Sequence, residues 1–120
     1  MITKEFAISF AEEWIKSWNS HNLEKILSHY TDDFTIETPM AAKIFPETGG
    51  IVRGKEAVKA YWTIGLEKIP DLKFELLDVL IGINGLTIYY RNTATNKKSV
   101  EIMTFNDQQK VGKAIVHYAE

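Results

Sequence analysis

The first part of the chain carries large apolar side chains at four-residue steps, on one side of an amphipathic helix: Phe6, Phe10, Trp14 and Trp18. Thr3 is placed to cap the N-terminus of this helix, and the polar segment 19–22 favours a turn after it. The pattern therefore predicts a first helix over about residues 3–19. A second, shorter helix is predicted from the apolar positions Leu23, Ile26, Leu27 and Tyr30.

Alternation of apolar and polar residues replaces the helical period after Tyr30. Asp32 and Asp33 are expected to form a turn, where acidic side chains cap the backbone and are solvated. Residues 33–38 are predicted to be a strand. Residues 40–52 have no clean period and are interpreted as a long loop that can include a short extended piece at 50–52. A loop of this length in a compact domain is more often functional than accidental, so we expect it to gate a binding cavity.

A third helix is predicted over residues 55–69, between Gly54 and Pro70. Four strands follow, and Asn84-Gly85 is a strong hairpin signal between the first two. Because the turns between all four are short, the pattern predicts an antiparallel meander. The alternation slips within the first strand, which predicts a bulge and a bend. The predicted strands cover residues 72–83, 86–94, 99–105 and 110–118.

Three helices followed by a curved antiparallel sheet predict an α+β fold, with residues 1–120 as one domain. Amphipathic helices cover only part of one face of such a sheet, so the uncovered part can become a hydrophobic cavity. The other face carries apolar residues, including Tyr89 and Ile115, that would otherwise be an exposed patch. We therefore expect a homodimer through that face.

Composition narrows the class of protein. The chain is 45% hydrophobic and 12% aromatic, which is enough to form a buried hydrophobic core. Its net charge of −2 lacks the positive charge that is typical of nucleic-acid-binding proteins. The lack of cysteine excludes disulfides and thiolate chemistry, and three scattered histidines argue against a zinc site. The sequence shows neither the apolar core of a signal peptide nor a run of roughly 20 apolar residues that could span a bilayer. We expect a cytoplasmic protein with a small-molecule ligand and with no cofactor, metal, nucleic-acid or membrane partner.

Three short motifs occur in a characteristic order: Tyr30-x-Asp32-Asp33, Gly54-x-x-Ala57-Val58, and an aromatic end to the last strand at Tyr118. Their order and spacing, over roughly residues 6–119, resemble the nuclear transport factor 2-like superfamily, which includes the SnoaL-like cyclases and the ketosteroid isomerases. The resemblance implies a cystatin-like fold in which a cone-shaped sheet encloses a hydrophobic cavity. It also implies a dimer through the convex face of the sheet.

The resemblance to ketosteroid isomerases can be carried over at three catalytic positions. The family's general base matches Thr38, which cannot act as a carboxylate base. Its oxyanion-hole tyrosine matches Trp14, which offers an indole N–H donor, and its oxyanion aspartate matches Glu101, which keeps the carboxyl. Tyr30 matches a tyrosine that supports the hydrogen-bond network, and Trp62 replaces another. The resemblance thus argues against steroid isomerisation by the family mechanism.

Glu101 is the candidate catalytic residue, as a general acid or as a hydrogen-bond donor to an oxyanion. It shares a strand face with Met103 and Phe105. If that face lines the cavity, desolvation should raise the pKa of Glu101 and suit it to acid or base work. The alternative is a solvated carboxylate at the rim of the cavity, or one paired with Arg91.

Aromatic residues supply most of the candidate ligand site. Trp14 and Trp18 are interpreted as cavity wall, while Tyr61 or Trp62 is interpreted as core. Two functions stay open. One is an isomerase, cyclase or hydrolase acting on a small apolar ligand that is cyclic or bears a carbonyl, and the other is a non-catalytic ligand-binding or dimerisation module. The candidate ligand-binding residues are Trp14, Trp18, Tyr30, Thr38, Met40, Trp62, Tyr90, Met103, Val116 and Tyr118.

Overall fold

The computed structural model describes residues 1–119 and places four α-helices beside one six-stranded sheet. The helices are α1 (Lys4–Ser20), α2 (Leu23–Leu27), α3 (Pro39–Ile44) and α4 (Lys55–Lys68), and a 3₁₀ turn spans Pro46–Thr48. The strands are β1 (Tyr30–Glu37), β2 (Ile51–Arg53), β3 (Phe74–Ile81), β4 (Gly85–Asn92), β5 (Lys97–Phe105) and β6 (Val111–Tyr118). The predicted α+β class is confirmed.

The six strands form one curved open sheet in the order β2-β1-β6-β5-β4-β3. The predicted meander of β3 to β6 is confirmed as antiparallel pairs of neighbours. The predicted bulge lies in β3, where the register shifts between Leu76 and Asp78. The pairing of β1 with β6 is parallel, which joins the N-terminal half of the chain to the end of the meander.

Two predictions at the start of β1 are wrong. Tyr30 does not end the second helix but begins β1, opposite Val111 of β6. Asp32 and Asp33 lie within β1 rather than in a turn, since a register irregularity after Tyr30 lets both face solvent. Asp32 pairs with Lys55 at 3.4 Å, and its side chain is 98% exposed. The two acids are therefore solvated, as expected, although the backbone that carries them is extended.

The predicted loop over residues 40–52 is wrong where it contains α3 and the 3₁₀ turn, while the short extended piece expected at its end corresponds to β2. Pro39 opens α3, and the Thr38 hydroxyl caps it by accepting a hydrogen bond from the Met40 N–H at 3.3 Å. Gly50 has φ of +90° and packs against the Thr38 carbonyl, where a Cβ would lie 3.2 Å from the oxygen. These elements are too short to show a period, and neighbouring parts of the chain hold them in place.

The helix α1 packs its aromatic stripe against the concave face of the sheet near β3. Trp14 has no solvent exposure, and its ring stacks on Phe74 with 5.6 Å between centroids. The helix α4 lies over β1 and contributes Val58, Tyr61 and Trp62 to the buried set. Within residues 1–119, no helix combines the length and hydrophobicity that a membrane crossing requires. Between the two helices, part of the concave face is left uncovered.

Candidate functional site

A cavity of about 800 Å³ opens between α3, α4 and the concave face of the sheet. This volume is in the range of small-molecule sites. Most of its wall is apolar, with α3, α4 and the strands each contributing. Several of these side chains are only half-buried, because no other protein group fills the space in front of them. The apolar wall includes Ile36, Met40, Ile44, Trp62, Leu66, Ile69, Phe74 and Val116.

The floor of the cavity is set by the strand register. Ser99 of β5 lies opposite Tyr90 of β4 and Tyr118 of β6, so the three side chains share one face. Glu101 is the next residue on that face and lies beside Val116. Diagonal neighbours of this kind are about 7–8 Å apart, within reach of aromatic side chains. Glu101 is thus flanked by a tyrosine on each neighbouring strand.

Glu101 is the buried carboxyl of this floor, with 6% of its surface exposed. The Tyr90 hydroxyl donates a hydrogen bond to Oε2 of Glu101 at 2.8 Å. Burial raises the pKa of Glu101 to about 7, because desolvation of the charged form outweighs the opposing hydrogen bond from Tyr90. Both alternatives for this residue are wrong, since the carboxyl is not at a solvated rim and Arg91 pairs instead with Glu75.

A second polar group lies on the cavity wall at the ends of β1 and β6. The hydroxyls of Thr38 and Tyr118 are 3.2 Å apart, and both lie close enough to the Tyr61 hydroxyl to affect its pKa. Desolvation is the largest cause that raises the pKa of Tyr61 and of Tyr118. These hydroxyls therefore stay protonated near neutral pH, where they can donate or accept hydrogen bonds but cannot act as anionic bases.

Three candidate ligand residues do not border the cavity: Trp14, Tyr30 and Met103. The interpretation of Trp14 as cavity wall is wrong, because Phe74 and Tyr90 cover its ring. Its indole N–H instead donates to the Tyr30 hydroxyl at 2.9 Å, within the core. Met103 shares the inward face of β5 with Glu101, but it lies deeper and is 1% exposed. All three form the layer behind the cavity.

The other candidates are brought together around the cavity: Trp18, Thr38, Met40, Trp62, Tyr90, Glu101, Val116 and Tyr118. Tyr61 and Trp62, of which one is interpreted as core from the sequence, are both buried in the core and also line the cavity. Helical spacing located these residues on the inner face of α4 but could not tell packed core from cavity wall. Sequence reasoning also missed Ser99 and Lys97, although they precede Glu101 in the same alternation.

The cavity mouth is polar and cationic. Lys43 of α3, Lys68 at the end of α4 and Lys97 at the start of β5 line the cavity, and their exposure to solvent places them at its opening. Asn92 and Thr95 lie between them on the β4–β5 side. In the described part of the chain, none of the three lysines forms an ion pair.

The histidines lie apart from the cavity. His21 Nε2 is 2.7 Å from the Leu72 carbonyl oxygen, and His29 Nε2 is 3.1 Å from the Ser17 hydroxyl. Burial lowers the pKa of His29, with a smaller raising effect from Glu13. Residues 1–119 hold no group of three or more histidines and carboxylates placed to bind a metal ion.

Comparison with known proteins places the chain in a family. The sequence profile of the SnoaL-like domain matches residues 11–118. A SnoaL-like protein of unknown function from Burkholderia thailandensis has 44% sequence identity and a TM-score of 0.94, covering 99% of this chain and 98% of its own. No match was found among proteins of curated function.

Two more distant structures show the same fold. A protein of unknown function with a cystatin-like fold, from Methylobium petroleophilum, is 14% identical with a TM-score of 0.78, covering 99% of this chain and 79% of its own. TerC, co-crystallized with polyporic acid, is 12% identical with a TM-score of 0.75, covering 94% of this chain and 91% of its own. The fold is therefore the cystatin-like, nuclear transport factor 2-like one.

Proposed function

The chain belongs to the SnoaL-like domain family, and from that premise we propose that it binds a small, largely apolar ligand in its cavity through Glu101. The ligand is cyclic or bears a carbonyl, and its oxygen accepts a hydrogen bond from the protonated carboxyl. The observation that carries the proposal is the burial of Glu101 on the cavity floor, with Tyr90 donating to Oε2 at 2.8 Å. Because Tyr90 occupies one carboxyl oxygen, Oε1 is left to carry the proton towards a ligand.

The surroundings of Glu101 support this class of ligand. The wall beyond it is mostly apolar, so an apolar body gains by leaving water. The hydroxyls of Thr38, Tyr61 and Tyr118 offer a second set of hydrogen-bond partners across the cavity. TerC, which has the same fold, was co-crystallized with a small molecule, polyporic acid. That similarity supports a small-molecule ligand for this chain.

A catalytic role would also rest on Glu101. A carboxyl with a pKa of about 7 can donate or accept a proton near neutral pH, which suits an isomerase, cyclase or hydrolase. Thr38 supplies no carboxylate at the position of the isomerase base, and the raised pKa values of the tyrosines remove them as bases. Glu101 would therefore polarise a substrate carbonyl, or transfer a proton within a single substrate. The alternative is a ligand-binding module that performs no reaction.

Binding of cyclic ketones to Glu101 variants tests the proposal. Glu101→Gln keeps an N–H donor and should largely keep the affinity measured by calorimetry. Glu101→Leu removes the donor and should weaken binding by about 1–3 kcal/mol. The affinity of the wild type should fall as pH rises through about 7, while that of Glu101→Gln stays flat. Equal affinities for all three proteins would show that Glu101 takes no part.

A second proposal is a homodimer through the convex face of the sheet. Ile102, which is 37% exposed, lies opposite Ile115 on β6, and Leu80 on the same face is 54% exposed. Such a patch is costly to leave in water. Sedimentation should give a dimer for the wild type and a monomer for Ile102→Asp, with Thr93→Asp in a turn as the control. A monomeric wild type at micromolar concentration would refute the proposal.

A further inference from the structure

The charge at the mouth of the cavity differs in sign from that of the whole protein. The chain carries a net charge of −2, whereas Lys43, Lys68 and Lys97 all line the opening. Glu101 is the sole acid among the described residues that line the cavity, and burial keeps it largely out of solvent. A molecule that enters therefore passes exposed positive charge before it reaches a nearly neutral interior.

The three lysines differ from other cations of the protein. Lys55 and Lys59 of α4 are not part of the cavity lining and pair with Asp32 and Glu24. No such acid lines the mouth among residues 1–119, and the polar neighbours there are the uncharged Asn92 and Thr95. The mouth is thus arranged to receive an anion rather than to pair its own charges.

Strand geometry relates the mouth to the floor. Lys97, Ser99 and Glu101 alternate along β5 on the same inward face. Glu101 lies four positions after Lys97 along the strand, which corresponds to roughly 13 Å between their Cα atoms. One elongated ligand of drug size can span this distance, with one end at each charged group.

We infer that the ligand is an amphiphile with an oxyanion, a carboxylate or a phosphate, at the end held by Lys43, Lys68 and Lys97. This rests on the proposed function, in which the other end of the ligand accepts a hydrogen bond from Glu101. The apolar middle contacts the wall formed by α3 and α4. The lysines then select among apolar carbonyl compounds by charge, and they raise the rate at which anionic ones enter.

The test uses a phenyl-substituted cyclohexanone and the same molecule with a carboxylate, or a phosphonate, in the para position of the phenyl ring. The wild type should bind both anionic probes about tenfold more tightly than the neutral ketone at low salt. That preference should shrink as ionic strength rises. The two anionic probes separate carboxylate ligands from phosphate ligands.

A matched pair of triple variants assigns the effect to the mouth. Lys43→Gln, Lys68→Gln and Lys97→Gln together should abolish the anionic preference, so that the affinities for the anionic and neutral probes become equal. The control combines Lys16→Gln, Lys25→Gln and Lys113→Gln, which removes the same charge outside the cavity lining and should keep the preference.

Two results would overturn the inference and leave the proposed function intact. One is equal affinity of the wild type for neutral and anionic probes, and the other is a preference that survives in the mouth variant. Failure of every probe to bind at millimolar concentration would instead overturn the proposed function, and the inference with it.

Discussion

The two ends of the concave sheet face are built from similar residues but differ in what fills them. At the α1 end, which is the solid end, Trp14 stacks on Phe74 and meets Tyr90 edge-on at 5.3 Å, so aromatic side chains fill the space. At the α4 end, which is the open end, Trp62 and Leu66 face the cavity. The strands beneath continue from one end to the other, and β5 carries Met103 under the solid end and Glu101 under the open end.

The difference shows that the helices, rather than the sheet, decide where the cavity forms. The helix α1 presents a large ring at every turn, whereas α4 presents Gly65 to the cavity. A Cβ at Gly65 would meet no atom within 4 Å. A solid core and a binding cavity can therefore share one sheet, and each can be altered by substitutions in its own helix.

The largest expected effect is the loss of stability on removing Trp14. Trp14→Ala should lower the free energy of unfolding by about 3–5 kcal/mol, because it leaves a hole among packed rings and removes the donor to Tyr30. Trp18→Ala should cost less, since Trp18 already borders the cavity and its indole N–H has no hydrogen-bond partner in the described structure. Chemical denaturation of both variants measures the difference. Equal losses would contradict the contrast between solid and open ends.

Next in size is the pH dependence that Glu101 gives to the open end. Its pKa rises from 4.5 to about 7 on folding, so the folded state holds the proton more tightly. Its stabilising contribution is fully present below the unfolded pKa of 4.5 and is lost as pH rises through about 7. The loss should total about 3 kcal/mol. It is measured as the difference in unfolding free energy between wild type and Glu101→Gln, and a difference that does not change with pH would refute it.

The sequence predicted the long elements, but it missed the helix α3 and indicated β2 only as a short extended piece, for a physical reason. The four strands β3 to β6 and the helix α1 each repeat their pattern over at least eight residues. The helix α3 and the strand β2 have six and three residues, and they depend on the Thr38 cap and on the pairing of Val52 with Ile36. Such tertiary support leaves no periodic trace in the sequence.

Strand alternation predicted residues of the candidate site that lie on strands. Glu101 and Val116 follow from the inward phase of β5 and β6, and Lys97 could have been found by extending that phase by two steps. For Trp14 and Trp62, the sequence pattern does not tell a core residue from a cavity residue. Both lie on apolar helix faces, and only the bulk of their neighbours determines which one borders the cavity.

A smaller effect is expected at the boundary of the cavity, where Thr38 caps α3. Thr38→Val keeps the volume but removes the hydroxyl that accepts from Met40 and contacts Tyr118. The free energy of unfolding should fall by about 1 kcal/mol, and the destabilisation should be confined to α3. Hydrogen exchange should speed up at Phe45, whose N–H donates to the Ala41 carbonyl at 2.7 Å, and stay unchanged at Ile88 in the sheet. Faster exchange at both sites would mean that Thr38 supports the whole fold.

The smallest expected change in stability is a gain at Gly65, where the open end can be filled without disturbing the solid one. Gly65→Ala should raise the free energy of unfolding by about 0.5–1 kcal/mol, because alanine favours a helix and its Cβ meets no atom. Ligand affinity should be kept, since a methyl group removes little of the cavity of about 800 Å³.

Gly65→Leu extends a larger side chain into that cavity and should weaken binding of cyclic ketones. Glu67→Leu, exposed on the same helix and outside the cavity lining, is the matched control and should bind like the wild type. Unchanged binding by Gly65→Leu would show that the ligand site lies elsewhere in the molecule.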